Sequence, residues 1–362
     1  MTTIADTVTS KRFAISETHR DAIIFAKIAL PIVVAFVASG LIYSYFLGAE
    51  TAPNARTYVD RFMAVIRAIT FMVSLATFSV LLRLLMKYRF RLPDGAIAEE
   101  IEKIRPHLTA FPIMLLLSFV TFAAFTYTFV SFKVRIPYVH PFDLDTTFAN
   151  LDAALFGGRQ AWEYFRWAYD SPLIIPIIDL FYTTWVPLIK LCWVYAFVAF
   201  FDTIERRVRF FLAFMSTWVI GGVLLATLLS SGGPCFYGLL VDGPDVYAEQ
   251  MALLQQFDIG AVRYQAILWH DYDAPGVGTL GISAMPSMHC ASTMLIALMF
   301  SQTRFMKAVS WSFFVIIYLG SFLLAWHYAV DGILGGIVAV ACWHASGWAT
   351  PRLIKRFGGA PA

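Results

Sequence analysis

Two histidines and one aspartate carry the chemistry legible in this chain. His327 lies in Trp326-His-Tyr-Ala-Val-Asp-Gly332, four residues ahead of Asp331, and positions four apart on a helix share a face. A carboxylate so placed can hold the proton on one imidazole nitrogen and leave the other free as a nucleophile or base. His289 belongs to Gly281-Ile-Ser-Ala-Met-Pro-Ser-Met-His-Cys290, where an irregular loop gives way to an apolar run. Pro286 and Ser287 suit the first positions of a helix. His289 then sits in the first turn, beside unpaired N–H groups and the positive end of the helix dipole, a setting that attracts anions. From there it could hand a proton to an oxygen leaving phosphorus. Either motif alone has an ordinary reading as a packed or interfacial histidine, and it is their conjunction that signals a site.

What must position them is a membrane-embedded bundle. Of 362 residues, 59% are hydrophobic and only 14% charged, with 33 phenylalanines and 10 tryptophans, whereas soluble domains average about a quarter charged residues. The net charge of +3 gives no case for a nucleic-acid partner. Spans need ~20 mainly apolar residues. Eight segments qualify, at 22–47, 64–86, 109–132, 173–200, 210–230, 286–301, 308–327 and 328–349, the last two abutting at His327. The polar N-terminus runs to Asp21 and the first apolar run lacks a small-residue cleavage pattern, so that run is expected to stay as a span. The expected fold is all-α, a polytopic transmembrane helical bundle of about eight spans. Residues 1–108 would hold an N-terminal tail, two accessory spans and a cytoplasmic loop, 109–349 a six-span core, and 350–362 a basic cytoplasmic tail.

Charge gives the bundle a direction, because cytoplasmic connections carry the excess of Lys and Arg. Lys11, Arg12, Arg20, Lys87, Arg89, Arg91, Lys103, Arg105, Arg206, Arg207, Arg209, Arg304, Lys307, Arg352, Lys355 and Arg356 fall on one side. The other holds Arg56, Arg61, Lys133, Arg135, Arg159, Arg166 and Arg263. Both termini should be cytoplasmic. The same parity puts the loops 133–172 and 231–285 and the His327 turn together on the extracytoplasmic side, where the two histidine motifs can meet. The first loop is rich in aromatics (Trp162, Tyr164, Phe165, Trp167), and the second opens with Ser231-Gly-Gly-Pro-Cys and ends with Gly276, Gly278 and Gly281; such loops suit the shaping of a site. The segment 96–105 suits a short amphipathic surface helix or a solvated connector.

Other polar residues have plainer readings. Cys192, Cys235, Cys290 and Cys342 are scattered without metal-ligand spacing and read as core thiols, a Cys235–Cys290 disulfide being the less favoured option. His289, His327 and Asp331 lack a third ligand at helical spacing, so no metal and no other cofactor is expected. His270, beside Asp271, and His140 could contact a substrate but read first as structural loop histidines, and His344 as a hydrogen-bonding residue within the last span. Lys190, in mid-span, needs a partner or a cavity, with Asp179 a candidate.

Pro286-Ser-Met-His289 followed by His327-Tyr-Ala-Val-Asp331 resembles the second and third signatures of the type 2 phosphatidic acid phosphatase superfamily of membrane lipid phosphatases and phosphotransferases. More narrowly it resembles the branch of fungal inositol phosphorylceramide synthase, a sphingolipid enzyme, and its bacterial relatives, whose last motif is His-Tyr-x-x-Asp without a preceding arginine. The resemblance covers 109–349. It implies that His327 is the nucleophile forming a phosphohistidine, Asp331 its orienting carboxylate, His289 the general acid, and Ser287 a contact to the phosphoryl group. Two departures stand out. The first signature, Lys-x6-Arg-Pro, is missing, since Arg105-Pro106 has Ala98 where lysine is required and faces the cytoplasm. The Ser-Arg pair that precedes the catalytic histidine in the phosphatases is replaced by Gly320 and Ser321.

Metal-free phosphoryl transfer still needs positive charge opposite the equatorial oxygens. Lys133, just after the third span, is the first candidate, followed by Arg135, Arg263 and Arg159, each with an alternative reading as a headgroup-contacting cation. The expected function is a metal-independent lipid phosphotransferase acting on a lipid phosphate or phosphodiester at the outer leaflet, of the inner membrane if the cell is bacterial. Its partners are that lipid and a lipid or headgroup hydroxyl acceptor. With water as acceptor the same residues make a phosphatase. A rival of another class is a lipid carrier or flippase on the same scaffold, in which the histidines bind phosphate without turnover and His327→Ala keeps transport.

Overall fold

The computed structural model describes residues 4–47, a few positions between 85 and 102, 110–274 and 280–358, with side chains from residue 17 onward. The span expected at 64–86 and the surface helix at 96–105 fall almost wholly outside the described residues, as do Gly276 and Gly278. The described chain is helical, without strands. The helices that matter are α1 (Ile4–Phe46), α2 (Ala110–Lys133), α3 (Asp145–Leu155), α4 (Ile174–Val198), α5 (Ile204–Val219), α6 (Ala248–Leu254), α7 (Gly260–Asp273), α8 (Met288–Met299), α9 (Arg304–Leu323) and α10 (Ala329–Gly358).

Six helical stretches among the described residues are long and apolar enough to cross a membrane: Glu17–Phe46, Ala110–Val139, Ile174–Val198, Ile204–Leu228, Arg304–Leu323 and Ala329–Gly358. The segment expected to span at 286–301 forms only the 12-residue α8. At 1.5 Å per residue α8 is about 18 Å long, short of the roughly 30 Å hydrocarbon core. Cys290 to Ala297 are buried almost without exposure, and α8 packs against α4, α5, α9 and α10. A helix apolar on every face is the signature of a central position.

The surrounding helices start where the sequence provides caps. Thr203 and Thr303 accept from the backbone N–H of Arg206 (3.4 Å) and Met306 (3.1 Å), satisfying donors that a helix start leaves free. Beyond Val219, α5 runs into a π-helical stretch, Ile220–Leu225. A methyl at Gly222 there would press on Phe129 of α2 and one at Gly221 would lie 3.2 Å from Met288 Sδ, so the paired glycines let α2 and the start of α8 approach. Aromatic packing joins α1 to α2 through Phe36, Phe125 and Phe132, and Ser44 and Ser131 add a 2.8 Å hydrogen bond.

Close approach of α8 to α10 depends on Gly332 and Gly335. A Cβ at 335 would overlap the carbonyl oxygen of Ser287, and one at 332 would lie 3.0 Å from Cys290 Sγ. The chain turns between α9 and α10 through only Leu324 to Tyr328, with Ala325 at φ +57°. The abutting spans are therefore joined by a short turn at His327, with Asp331 in the first turn of the next helix.

Candidate active site

The loop 133–172, the described parts of the loop 231–285 and the α9–α10 turn gather at one end of the bundle. Gly281 (φ +71°) backs onto the end of α2, where a Cβ would lie 2.9 Å from the Lys133 carbonyl carbon. Gly233 (φ +98°) backs onto the His327 turn, where a Cβ would lie 2.7 Å from the Trp326 oxygen. Cys235 N–H donates to Ala325 O at 2.9 Å, and Ala284 N–H to Ser231 O at 2.9 Å. The glycine pair after Ser231 thus brings the second loop against the first motif on one side and the second motif on the other.

His327 is held by its Nδ1. That nitrogen lies 2.8 Å from Ala284 O and 3.3 Å from Asp331 Oδ2. Both are acceptors, so Nδ1 carries the hydrogen and Nε2 keeps its lone pair. The shorter bond goes to the backbone, a partner the sequence did not suggest, and Asp331 Oδ2 also accepts from Tyr328 N–H at 3.0 Å. His327 lies in the turn outside both flanking spans and is buried, and burial pushes its imidazole down to about 3. The neutral ring is the nucleophilic form.

His289 approaches from α8, its ring centroid 5.7 Å from that of His327 in an edge-on arrangement. Ser287 caps α8, its Oγ accepting from Cys290 N–H (3.4 Å), while its own N–H donates to Asp331 O (3.0 Å). It ties the start of one motif to the other. Pro286 stands one residue before this cap rather than inside the helix, after a cis Met285–Pro286 peptide. Two α4 side chains pack on the His289 ring, Tyr182 at 4.4 Å and 22° and Trp185 at 3.9 Å and 34°.

Two aspartates on α3, unnoticed in the sequence, hold the turn from outside. Asp152 accepts from Ala329 N–H (2.7 Å) and Val330 N–H (2.9 Å), capping α10 across 177 residues. Asp145 accepts from Gly232 N–H, Gly233 N–H and the Tyr328 hydroxyl at 2.8, 2.8 and 2.7 Å. Burial raises both carboxyls above the usual aspartate range, and the hydrogen bonds oppose that rise. Gln250 donates to Phe322 O (2.7 Å) and Gln265 to Leu324 O (2.8 Å).

The candidate cations separate. Lys133 is partly buried, with no hydrogen bond or salt bridge to any described residue, and its ammonium interacts electrostatically with both imidazoles. Arg135 is buried and donates to Ser131 O (2.8 Å) and Oγ (2.9 Å). Arg263 is paired with Asp258 on the surface, and Arg159 is exposed. Among the other expectations, Asp179 does not reach for Lys190 but caps α7 through Gly260 and Ala261 N–H at 2.8 and 2.9 Å. His344, expected to hydrogen-bond inside the bundle, lies on an exposed face of α10, and His270 is exposed. His140 binds Thr227 O at 2.9 Å. All four cysteines are free.

A family model described as the PAP2 superfamily matches residues 146–345, more than half of the chain. The chain belongs to the PAP2 superfamily. Members are generally phosphatases or phosphotransferases, and the apolar helices fit an integral membrane enzyme acting on lipid phosphates. The matched segment takes in both histidines and Asp331 but leaves out Lys133 and Arg135. No curated protein and no solved structure matches the chain.

Proposed function

We propose that the protein is a metal-independent lipid phosphotransferase of the PAP2 superfamily, working through a phosphohistidine on His327 at the extracytoplasmic face. The carrying observation is the Nδ1–H bond of His327 to Ala284 O, with Asp331 behind it, which leaves Nε2 for phosphorus. Nε2 attacks, the bond from phosphorus to the leaving alkoxide breaks, and His289 supplies the proton that makes it an alcohol. A second hydroxyl then attacks the phosphohistidine, gives its proton back to His289 and releases His327. Asp331 keeps the Nδ1 proton in place throughout. Ser287 fixes the start of α8 against α10, which sets the His289–His327 separation.

Lys133 is the proposed partner of the phosphoryl oxygens, because Arg135, Arg159 and Arg263 are bonded elsewhere or exposed. One ammonium suits the single negative charge of a phosphodiester better than the double charge of a monoester. That favours the branch resembling inositol phosphorylceramide synthase, whose reaction moves a headgroup phosphate between hydroxyls. Purified protein incubated with a mixed lipid pool tests the choice. A new phosphodiester lipid is expected, and free phosphate as the only product would overturn the transferase reading in favour of a phosphatase.

A further inference from the structure

We infer that Tyr182 is a catalytic residue of this site, its phenolic hydroxyl donating a hydrogen bond to a non-bridging phosphoryl oxygen while His327 attacks. The inference rests on the phosphoryl-transfer reading above. Tyr182 is only 6% exposed, and its hydroxyl is buried without a hydrogen-bond partner among the described residues. A buried tyrosine hydroxyl ordinarily finds a partner, and one held unpaired at a reacting centre is poised for a ligand atom. The ring lies against His289, and the hydroxyl is near enough to Asp331 and Cys290 to interact with both electrostatically. The tyrosine therefore stands on the His289 side of the His289–His327 pair, with its unpartnered hydroxyl buried at that site.

Residue 320 strengthens the assignment. A Cβ at Gly320 would come within 3.0 Å of Tyr182 Cδ2, so the ring fills room that a side chain at this position would take. Gly320 and Ser321 stand where the phosphatases carry their Ser-Arg pair. The neutral donor delivered from α4 would thus act in a site that carries serine, not arginine, at position 321. A preorganised donor in a water-poor site stabilises developing negative charge strongly even without a formal charge of its own. Trp185, one turn along α4, holds the imidazole in register with the tyrosine.

Tyr182→Phe removes the hydroxyl and keeps the ring stack. With purified protein in detergent, the substitution is expected to leave the thermal midpoint unchanged, to lower kcat about 100-fold and to weaken orthovanadate binding, read by calorimetry, about tenfold. His327→Ala run in parallel should abolish turnover. If wild-type protein binds no vanadate, or if His327→Ala still turns over, the phosphoryl-transfer reading itself fails. If both controls behave and Tyr182→Phe retains wild-type kcat and vanadate affinity, the role of Tyr182 alone is overturned.

Discussion

Asp152 makes no contact with either histidine, yet its loss should disable the site. Its carboxylate takes the first two free N–H groups of α10, and Asp331 lies in that same first turn. In Asp152→Ala both donors lose their acceptor in a region where Asp152 is 2% exposed and Ala329 fully buried. Each buried unsatisfied donor costs about 1–3 kcal/mol, so the two together cost roughly 2–6 kcal/mol. That is a large part of the about 5–15 kcal/mol by which a domain is typically stable. The turn can recover part of it only by rotating the start of α10, which moves Asp331 and Tyr328 relative to Ala284. A displacement of about 1 Å at a reacting centre costs about 100-fold in rate. Asp152→Asn is the cleaner variant, because its amide oxygen still accepts one N–H and the fold should persist. We expect Asn to lower kcat/KM tenfold or more with a small fall in thermal midpoint, and Ala to lower both further, in a lipid-product assay. Wild-type kcat/KM in Asp152→Asn, with the midpoint lowered, would show that the cap serves stability alone and refute the reasoning.

Further outcomes follow from other contacts. Gly335→Ala should destabilise the protein by about 1–3 kcal/mol through overpacking, since its methyl meets the Ser287 carbonyl, whereas Gly336→Ala should be tolerated because its methyl would lie 3.5 Å from Met294 Cε; paired thermal melts check this. Lys133→Ala should abolish vanadate binding while Arg159→Ala and Arg263→Ala leave it intact, and equal affinities in all three would remove Lys133 from the site. The imidazole of His327 is held below its ordinary value, so the stability it confers is complete above about 6.5 and is lost as pH falls toward about 3. Thermal midpoints of His327→Asn should therefore depend less on pH across that range than those of the wild type.

The candidate site residues are legible in the sequence because their signals are local. His327 and Asp331 are four residues apart, Ser287 announces a helix start two residues before His289, and counting spans puts both motifs at one end of the bundle. The residues that hold them were not legible. Asp152 reaches Ala329 across 177 residues, and Gln250 reaches Phe322 across 72; no periodicity links such pairs. Tyr182 and Trp185 look like ordinary aromatics of a span until α8 is packed against α4. The span read at 286–301 forms a 12-residue helix at the centre of the bundle, and its apolar run has two sources that the sequence does not separate, since burial in a protein core and burial in lipid select the same side chains. His344 and Asp179 show the converse: a polar residue in an apolar run has several resting places, and only packing decides between a lipid-facing surface and a helix cap.

The central claim is that His327 carries the phosphoryl group. Rapid quenching of purified protein with labelled lipid phosphate, under alkaline conditions that preserve phosphohistidine, followed by peptide mapping, tests it most directly. The account predicts an acid-labile label on the peptide containing His327, absent in His327→Ala and accumulating in the wild type when the acceptor hydroxyl is withheld. Product formation without any covalent label, or a label that survives in His327→Ala, would contradict it.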